Sequence, residues 1–452
     1  MAAKTVRGRV WDMTQGKPLP LILTFAVPFL IGNIFQQVYS MVDTMVAGYH
    51  LGDSAIAAIG ASSSLYSLIV NTAIGLNAGY GIVVTRSFGA RDYCRMRQAV
   101  GGMALLNGGI TAVLTVLSLL LLGPLLRYMN TPDAIFADTW RYISVICGGM
   151  LCTVFYNMFA AIMRAVGNSR APLWFLILSS LLNVVLDLLF VVVLDFGVAG
   201  AAVATVISQG ISALLSGLYV WRSYREYMPG REDLRLPGSL LRELLSTGFA
   251  MALMNCVVDL GSVIVNRANN LLGESLIAAN AAGRRMWSLM LMPQSAVSVA
   301  TSTFMAQNWG ARKVARIRSA LRQVFAVIIG WSLFACALFF LIGEHLIRFT
   351  TGTSDPEIIG GAVLLTRAAL VCAPALGILV CMRNTLQALG SKVVPVLSSC
   401  IELGMKLISA YWAIPALGFP AMALTEPVTW VLMMTYLLVS YGIQRKRIFG
   451  EE

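Results

Sequence analysis

Hydrophobic residues run through this chain in long blocks separated by short polar breaks. Twelve blocks can be marked, at roughly 19–47, 54–84, 97–125, 138–163, 171–194, 198–221, 241–271, 276–306, 319–347, 359–388, 393–414 and 419–443. A helix of about 20 residues crosses the ~30 Å of hydrocarbon in a bilayer, so each block is long enough to span it. The blocks are too long and unbroken to be the alternating strands of a barrel. The pattern predicts an all-α polytopic membrane protein with twelve transmembrane helices. The N-terminus, MAAKTVRGRVWDMTQGKP, is polar and has no early apolar stretch ending in small residues, so no cleavable leader is expected.

The pattern also repeats. LGDSAIAA at 51–58 returns as LGESLIAA at 272–279, and GARDYCRMR at 89–97 returns as GARKVARIR at 310–318, both 221 residues later. Gly167 and Pro172 match Gly390 and Pro395 at an offset of 223, and Gly197 matches Gly418 at 221. Such order predicts two pseudo-symmetric six-helix lobes: an N-lobe over 1–221, a polar linker over 222–240 and a C-lobe over 241–452. An even number of spans makes both halves enter from the same side, so the repeat is parallel about an axis along the membrane normal. That arrangement implies a central cavity and favours a transporter.

Composition agrees. The 452 residues are 58% hydrophobic and 12% charged, against roughly 25% charged in soluble domains. Lysine and arginine set the orientation. Arg86, Arg91, Arg95 and Arg97, the linker arginines, Arg312 to Arg318, Arg383 and Lys392, and the basic ends of the chain go to the cytoplasmic side. External loops hold Arg127, Arg141 and Arg348. Both termini are therefore expected in the cytoplasm, in the plasma (inner) membrane. The net charge of +12 reads as a topology signal, and no basic soluble face suggests a nucleic-acid partner. Eight cysteines lack a C-x-x-C pair, and the two histidines are too few for a metal centre. No H-E-x-x-H, G-x-S-x-G or Cys/His constellation appears, so neither an enzyme nor a cofactor is expected.

Chemistry is concentrated where polar residues break the apolar blocks. The first block carries Pro28, Gln36, Gln37, Tyr39 and Asp43. A charge near mid-membrane costs at least ~2.5–3.5 kcal/mol on insertion scales, so Asp43 needs a partner, a proton or water. Pro28 cannot donate its helical hydrogen bond, which makes it a possible hinge ~22 Å along the same helix. Asn183 and Asp187 are four apart and share a helix face, and Thr205 follows in the next block. Two carboxylates, an amide and a hydroxyl in one half suit a hard cation or a shared proton. A polar clamp that only holds helices together remains the other reading. Gln36, Gln37 and Tyr39 are candidates for lining a cavity, or for satisfying neighbouring helices.

The run MTQGKPLPLILTFAVPFLIGNIFQQVYSMVDTMVAGYHLGDSAIAAIG closely resembles the first helix of the multidrug and toxic compound extrusion (MATE) transporters. GIVVTRSFGARD, NVVLDLLFVVVLDFGVAGAAVAT and TSTFMAQNWGA extend the resemblance, which covers about residues 13–445 and looks most like the DinF-like bacterial and archaeal branch. It implies cation-coupled export of small amphipathic, often cationic compounds, driven by protons, sodium ions or both, from a cavity between two lobes set among membrane lipids. In that branch the residues matching Asp43, Asn183, Asp187 and Thr205 form the N-lobe cation site, and a first-helix proline matching Pro28 is associated with bending. A monomer is expected. A dedicated metabolite exporter or a lipid-linked precursor flippase on the same scaffold is the alternative.

The second half does not copy this site. Ile264 stands where Asp43 would repeat, and Lys406 stands where Asn183 would. Glu402 lies one turn before Lys406 in the favourable order for a pair. Read as a neutral pair, it predicts that replacing Lys406 alone harms the protein more than replacing both residues. A substrate or coupling role is the other reading. Asp259 and the Met286, Met290 and Met292 group around Trp287 are candidates for contacting a substrate, the methionines because they conform to varied ligands. The repeated GARDYCRMR and GARKVARIR read as cytoplasmic charge anchors.

Overall fold

A computed structural model describes residues 10–128 and 131–449; at 43, 44, 47, 53–57, 61–66, 68, 128 and 445–449 it describes the backbone alone. The described residues form helices without a strand. In the first half these are α1 (Pro18–Leu51), α2 (Asp53–Gly89), α3 (Tyr93–Tyr128), α4 (Asp133–Gly148), α5 (Met150–Ala165), α6 (Arg170–Asp187) and α7 (Gly197–Ser223). The second half has α8 (Gly238–Asn269), α9 (Glu274–Gly310), α10 (Val314–Thr351), α11 (Pro356–Val371), α12 (Ala373–Ala388), α13 (Val393–Ile408), α14 (Ile414–Leu417) and α15 (Phe419–Phe449). Every one of the twelve apolar blocks falls on one helix or one consecutive helix run.

The repeat extends to the irregularities. α4 and α5 bend by 45° across Gly149, and α11 and α12 bend by 54° across Cys372. At Gly149 a Cβ would come within 2.3 Å of Val206, so that helix break lets α7 pass. α6 ends in a π-helical turn, Leu188–Val193, and α13 ends in another, Ser409–Ala413. π-helical turns are rare and gather at functional positions. Among the described residues eight helices are long and apolar enough to cross a membrane, and ten if each bent pair is one span. α2 and α9, the repeat equivalents that fall outside this test, span 37 residues each. Both bury polar side chains, Asn77 and Thr85 in one, Gln294, Gln307 and Asn308 in the other.

Contacts divide the chain into two compact units: Met1–Asp12 with Val27–Ala252, and Met13–Ala26 with Leu253–Glu452. In the first, α7 packs against α4, α5 and α6. The start of α8 joins it through α2, where a Cβ on Gly79 would meet the Thr247 carbonyl at 2.5 Å and one on Gly75 would meet Ala252 Cα at 2.7 Å. Two backbones touch there because neither glycine has a side chain, as the Gly-x-x-x-Gly spacing predicts. In the second unit, α9 packs against α10, α11 and α12.

The repeated loops have a definite task in each unit. Gln307 Oε1 accepts from the Met13 N–H (2.8 Å), Asn308 Nδ2 donates to the Met13 carbonyl (3.1 Å), and Lys313 Nζ donates to the Thr14 carbonyl (2.8 Å). Arg316 donates to the Gly16 carbonyl at 2.7 Å. In the first unit, Arg86 and Arg95 pair with Glu243 and Arg97 pairs with Asp233. The charges of GARDYCRMR and GARKVARIR thus hold the segments that lead into α8 and α1.

Candidate functional site

Three helices of the first unit bring their polar groups together around two buried residues. α6 supplies Asn183 and Asp187, each 1% exposed, one turn apart at the end of the helix. α7 supplies Thr205, and α1 supplies Tyr39. The amide of Asn183 satisfies its neighbours when its nitrogen donates to Tyr39 Oη (3.1 Å) and Asp187 Oδ2 (3.2 Å) and its oxygen accepts from the Thr205 N–H (3.2 Å). Turned the other way, the nitrogen meets Thr205 Oγ1 at 3.4 Å. Thr205 Oγ1 also donates to the Ala201 carbonyl at 3.0 Å, which fixes its rotamer. Asp187 is the last residue before the π-helical turn Leu188–Val193.

A carboxylate beside amide, hydroxyl and phenol oxygens makes a low-charge oxygen set. Among the described residues no three His, Cys, Asp or Glu side chains gather, so the cluster resembles no multi-carboxylate or thiolate metal centre. Oxygens of this kind coordinate hard cations, and the carboxylate accepts a proton. Asp43 is helical, one turn beyond Tyr39 in α1, and its side chain lies outside the described residues. Pro28 sits inside α1, which is assigned as one helix from Pro18 to Leu51. Gln36 and Gln37 are exposed.

The second unit holds a different constellation. Lys406 is 1% exposed; its Nζ lies 2.9 Å from Glu402 Oε1, 3.4 Å from Glu426 Oε1 and 3.4 Å from Ser262 Oγ. Glu402 Oε2 is 3.4 Å from Arg383, whose Nε donates to Ser398 Oγ at 3.2 Å. Arg284 lies 3.7 Å from Glu426. Glu402 and Lys406 therefore form part of a five-membered chain, Arg383–Glu402–Lys406–Glu426–Arg284, on α9, α12, α13 and α15. The pair read from the sequence is present but belongs to this longer chain, and Arg383, counted from sequence among the cytoplasmic charges, is a half-buried member of it on α12. Its position inside an apolar block was the signal for that. Asp259 is half-buried in α8. Met286 is buried in an apolar cluster with Phe339 and Leu370, and Met290 packs against it, which leaves Met286 little surface for a ligand.

Comparison with known proteins gives these two constellations a setting. Residues 28–189 and 250–412, one stretch in each half, match the MatE family. The chain belongs to that family. This MatE protein is 26% identical to the probable multidrug resistance protein YpnP of Bacillus subtilis over 78% of its length and 79% of the relative's. It is 24% identical to DNA damage-inducible protein F of Escherichia coli over 78% and 76%. The crystal structure of the Vibrio cholerae MATE transporter VcmN in its bent form has the same fold, with a TM-score of 0.86 over 95% of this chain and 97% of that one at 22% identity. The two matched stretches are the two halves of the repeat, so this MatE protein is a membrane transporter built on the two-lobe MATE fold.

Proposed function

We propose that this protein exports small amphipathic, often cationic compounds by cation-coupled antiport with alternating access. The family and the multidrug resistance relative support the export. The observation that carries the coupling is the meeting of buried Asn183 and Asp187 with half-buried Thr205 and Tyr39 from three helices. A proton on Asp187, or a sodium ion among these oxygens, neutralises the site and changes which hydrogen bonds Asn183 makes. An ion drives a conformational change only through different affinities for the two states. Tyr39 ties the site to α1, and Pro28 lets α1 bend in response. Asp43, one turn from Tyr39, completes the set as a second carboxylate. The protein works as a monomer in the plasma membrane, both termini in the cytoplasm, with protons, sodium or both as the coupling ion.

The test is uphill efflux in inside-out vesicles, with proton and sodium gradients imposed separately, beside equilibrium binding of an exported dye. Asp187→Asn and Asp43→Asn remove a titratable group at little cost in shape, so both are expected to abolish gradient-driven export while dye binding persists. Thr205→Ala removes one neutral oxygen and should slow export only several-fold, in line with the ~0.5–1.5 kcal/mol of one hydrogen bond. Normal uphill efflux by a well-folded Asp187→Asn protein would sink the coupling assignment and leave a structural clamp.

A further inference from the structure

Arg284 stands apart from the other charges in the second unit. It lies in α9 ten residues after Glu274, about 15 Å along the helix axis, and inside an apolar block. A guanidinium carries five N–H donors in a fixed fork. Among the described residues Arg284 makes no hydrogen bond within 3.5 Å, and its one ion-pair contact is Glu426 at 3.7 Å. Arg383, by contrast, bonds Ser398 and Glu402, and Lys406 bonds Glu402 and Ser262. Arg284 is also the most exposed member of the chain, its side chain 33% accessible against 2% for Lys406.

Arginine at such depth is costly and is kept where it pairs or serves a pathway. Glu426 is a poor fixed partner for it, because its Oε1 already lies 3.4 Å from Lys406. Two cations share one carboxylate oxygen, and Arg284 has the longer contact. One turn before Arg284 on the same α9 face, buried Asn280 has an Oδ1 with no hydrogen-bond donor. Three residues after it, Trp287 meets Trp430 edge to face at 5.4 Å, and Trp430 lies one turn after Glu426. A loosely held guanidinium, a carbonyl without a donor and an aromatic pair thus cluster along facing stretches of α9 and α15.

We propose that Arg284 is the recognition point for the carboxylate of zwitterionic transported compounds, with Glu426 as the internal carboxylate that such a compound displaces. The inference rests on the export reading and names a substrate class for it. When the compound's carboxylate docks in the Arg284 fork, Glu426 passes wholly to Lys406, so no acid is stranded. Half-buried Trp287, three residues along α9 from Arg284, offers the neighbouring aromatic surface for the compound's ring. Arginine binds carboxylates bidentately, which gives the site a reason to distinguish an acid from its ester.

The test compares rhodamine B, whose carboxylate is free, with its ethyl ester, by equilibrium binding to protein in neutral phosphatidylcholine nanodiscs. Arg284→Gln should weaken rhodamine B binding by about tenfold or more and leave the ester within about twofold. Glu426→Gln removes the competing carboxylate and should tighten rhodamine B binding while the ester is unchanged. Equal losses for acid and ester in Arg284→Gln overturn the proposal. If that variant does not fold, an unchanged rhodamine B affinity in Glu426→Gln overturns it instead. Rhodamine B binding indifferent to Arg284, with an Arg284-dependent response to added phosphatidylglycerol, would assign the group to a lipid headgroup and also overturn it. Uphill efflux of the ester by the parent protein separates the two ideas: its absence counts against export, while the binding comparison still decides Arg284.

Discussion

Lys406 holds two carboxylates at once, and that decides what its removal does. Without it, Glu402 keeps Arg383 and Glu426 keeps Arg284, so two one-to-one pairs remain. Removing Glu402 as well leaves Arg383, half-buried beside Ser398, without a carboxylate. Breaking a buried pair by deleting one partner costs about 3–5 kcal/mol, far more than removing a group whose partners are compensated elsewhere. Lys406→Met is therefore expected to lower the melting temperature in detergent less than Glu402→Met/Lys406→Met does. A double variant as stable as the single one would mean Arg383 finds another acceptor and the chain is not one network. The order is the reverse of that expected for an isolated pair. The spacing of Glu402 and Lys406 was visible in the sequence, whereas Arg383 and Glu426 reach them from α12 and α15 across no fixed sequence distance.

At the scale of elements, the tightest join in the first unit is between α2 and the start of α8. A Cβ at Gly79 would lie 2.5 Å from a carbonyl oxygen and 2.6 Å from the Gly248 Cα, both backbone atoms that cannot rotate away. Gly79→Ala is expected to cost about 1–3 kcal/mol through overpacking, read as a lower melting temperature. Gly123 in α3 has open space around its Cβ position, so Gly123→Ala should be neutral or stabilising by up to ~1 kcal/mol from helix propensity. Equal effects of the two changes would show that α2 and α8 do not touch as described. The helices were legible from their apolar lengths. The 45° bend was not, since Gly149 only follows another glycine inside an apolar block, whereas the 54° bend at Cys372 has a local signal in Pro374, which lacks an N–H and stands in the first turn of α12. The first bend follows from what packs beside it, Val206 against Gly149.

For the whole molecule, the placement of lysine and arginine predicts the side on which each loop lies. Cys94 is exposed in the first turns of α3, beside Arg91 and Arg95. In a variant keeping Cys94 as its sole cysteine, an impermeant maleimide should label inside-out vesicles and spare intact cells; the opposite pattern would reverse the orientation. The sequence by itself determined the membrane class, the all-helical fold, the repeat and the family, because length, hydropathy and repeated motifs are properties of the chain read in one dimension. It also placed Asn183 and Asp187 on one face, since helical spacing is local. Only the tertiary structure decided that Tyr39 meets Asn183, that Arg383 and Glu426 complete the charge chain around Lys406, and that Arg284 is left with a single distant partner. Those contacts join helices far apart in sequence, and which side chain faces which is set by how helices bend and pack, a choice that hydrophobic periodicity leaves open.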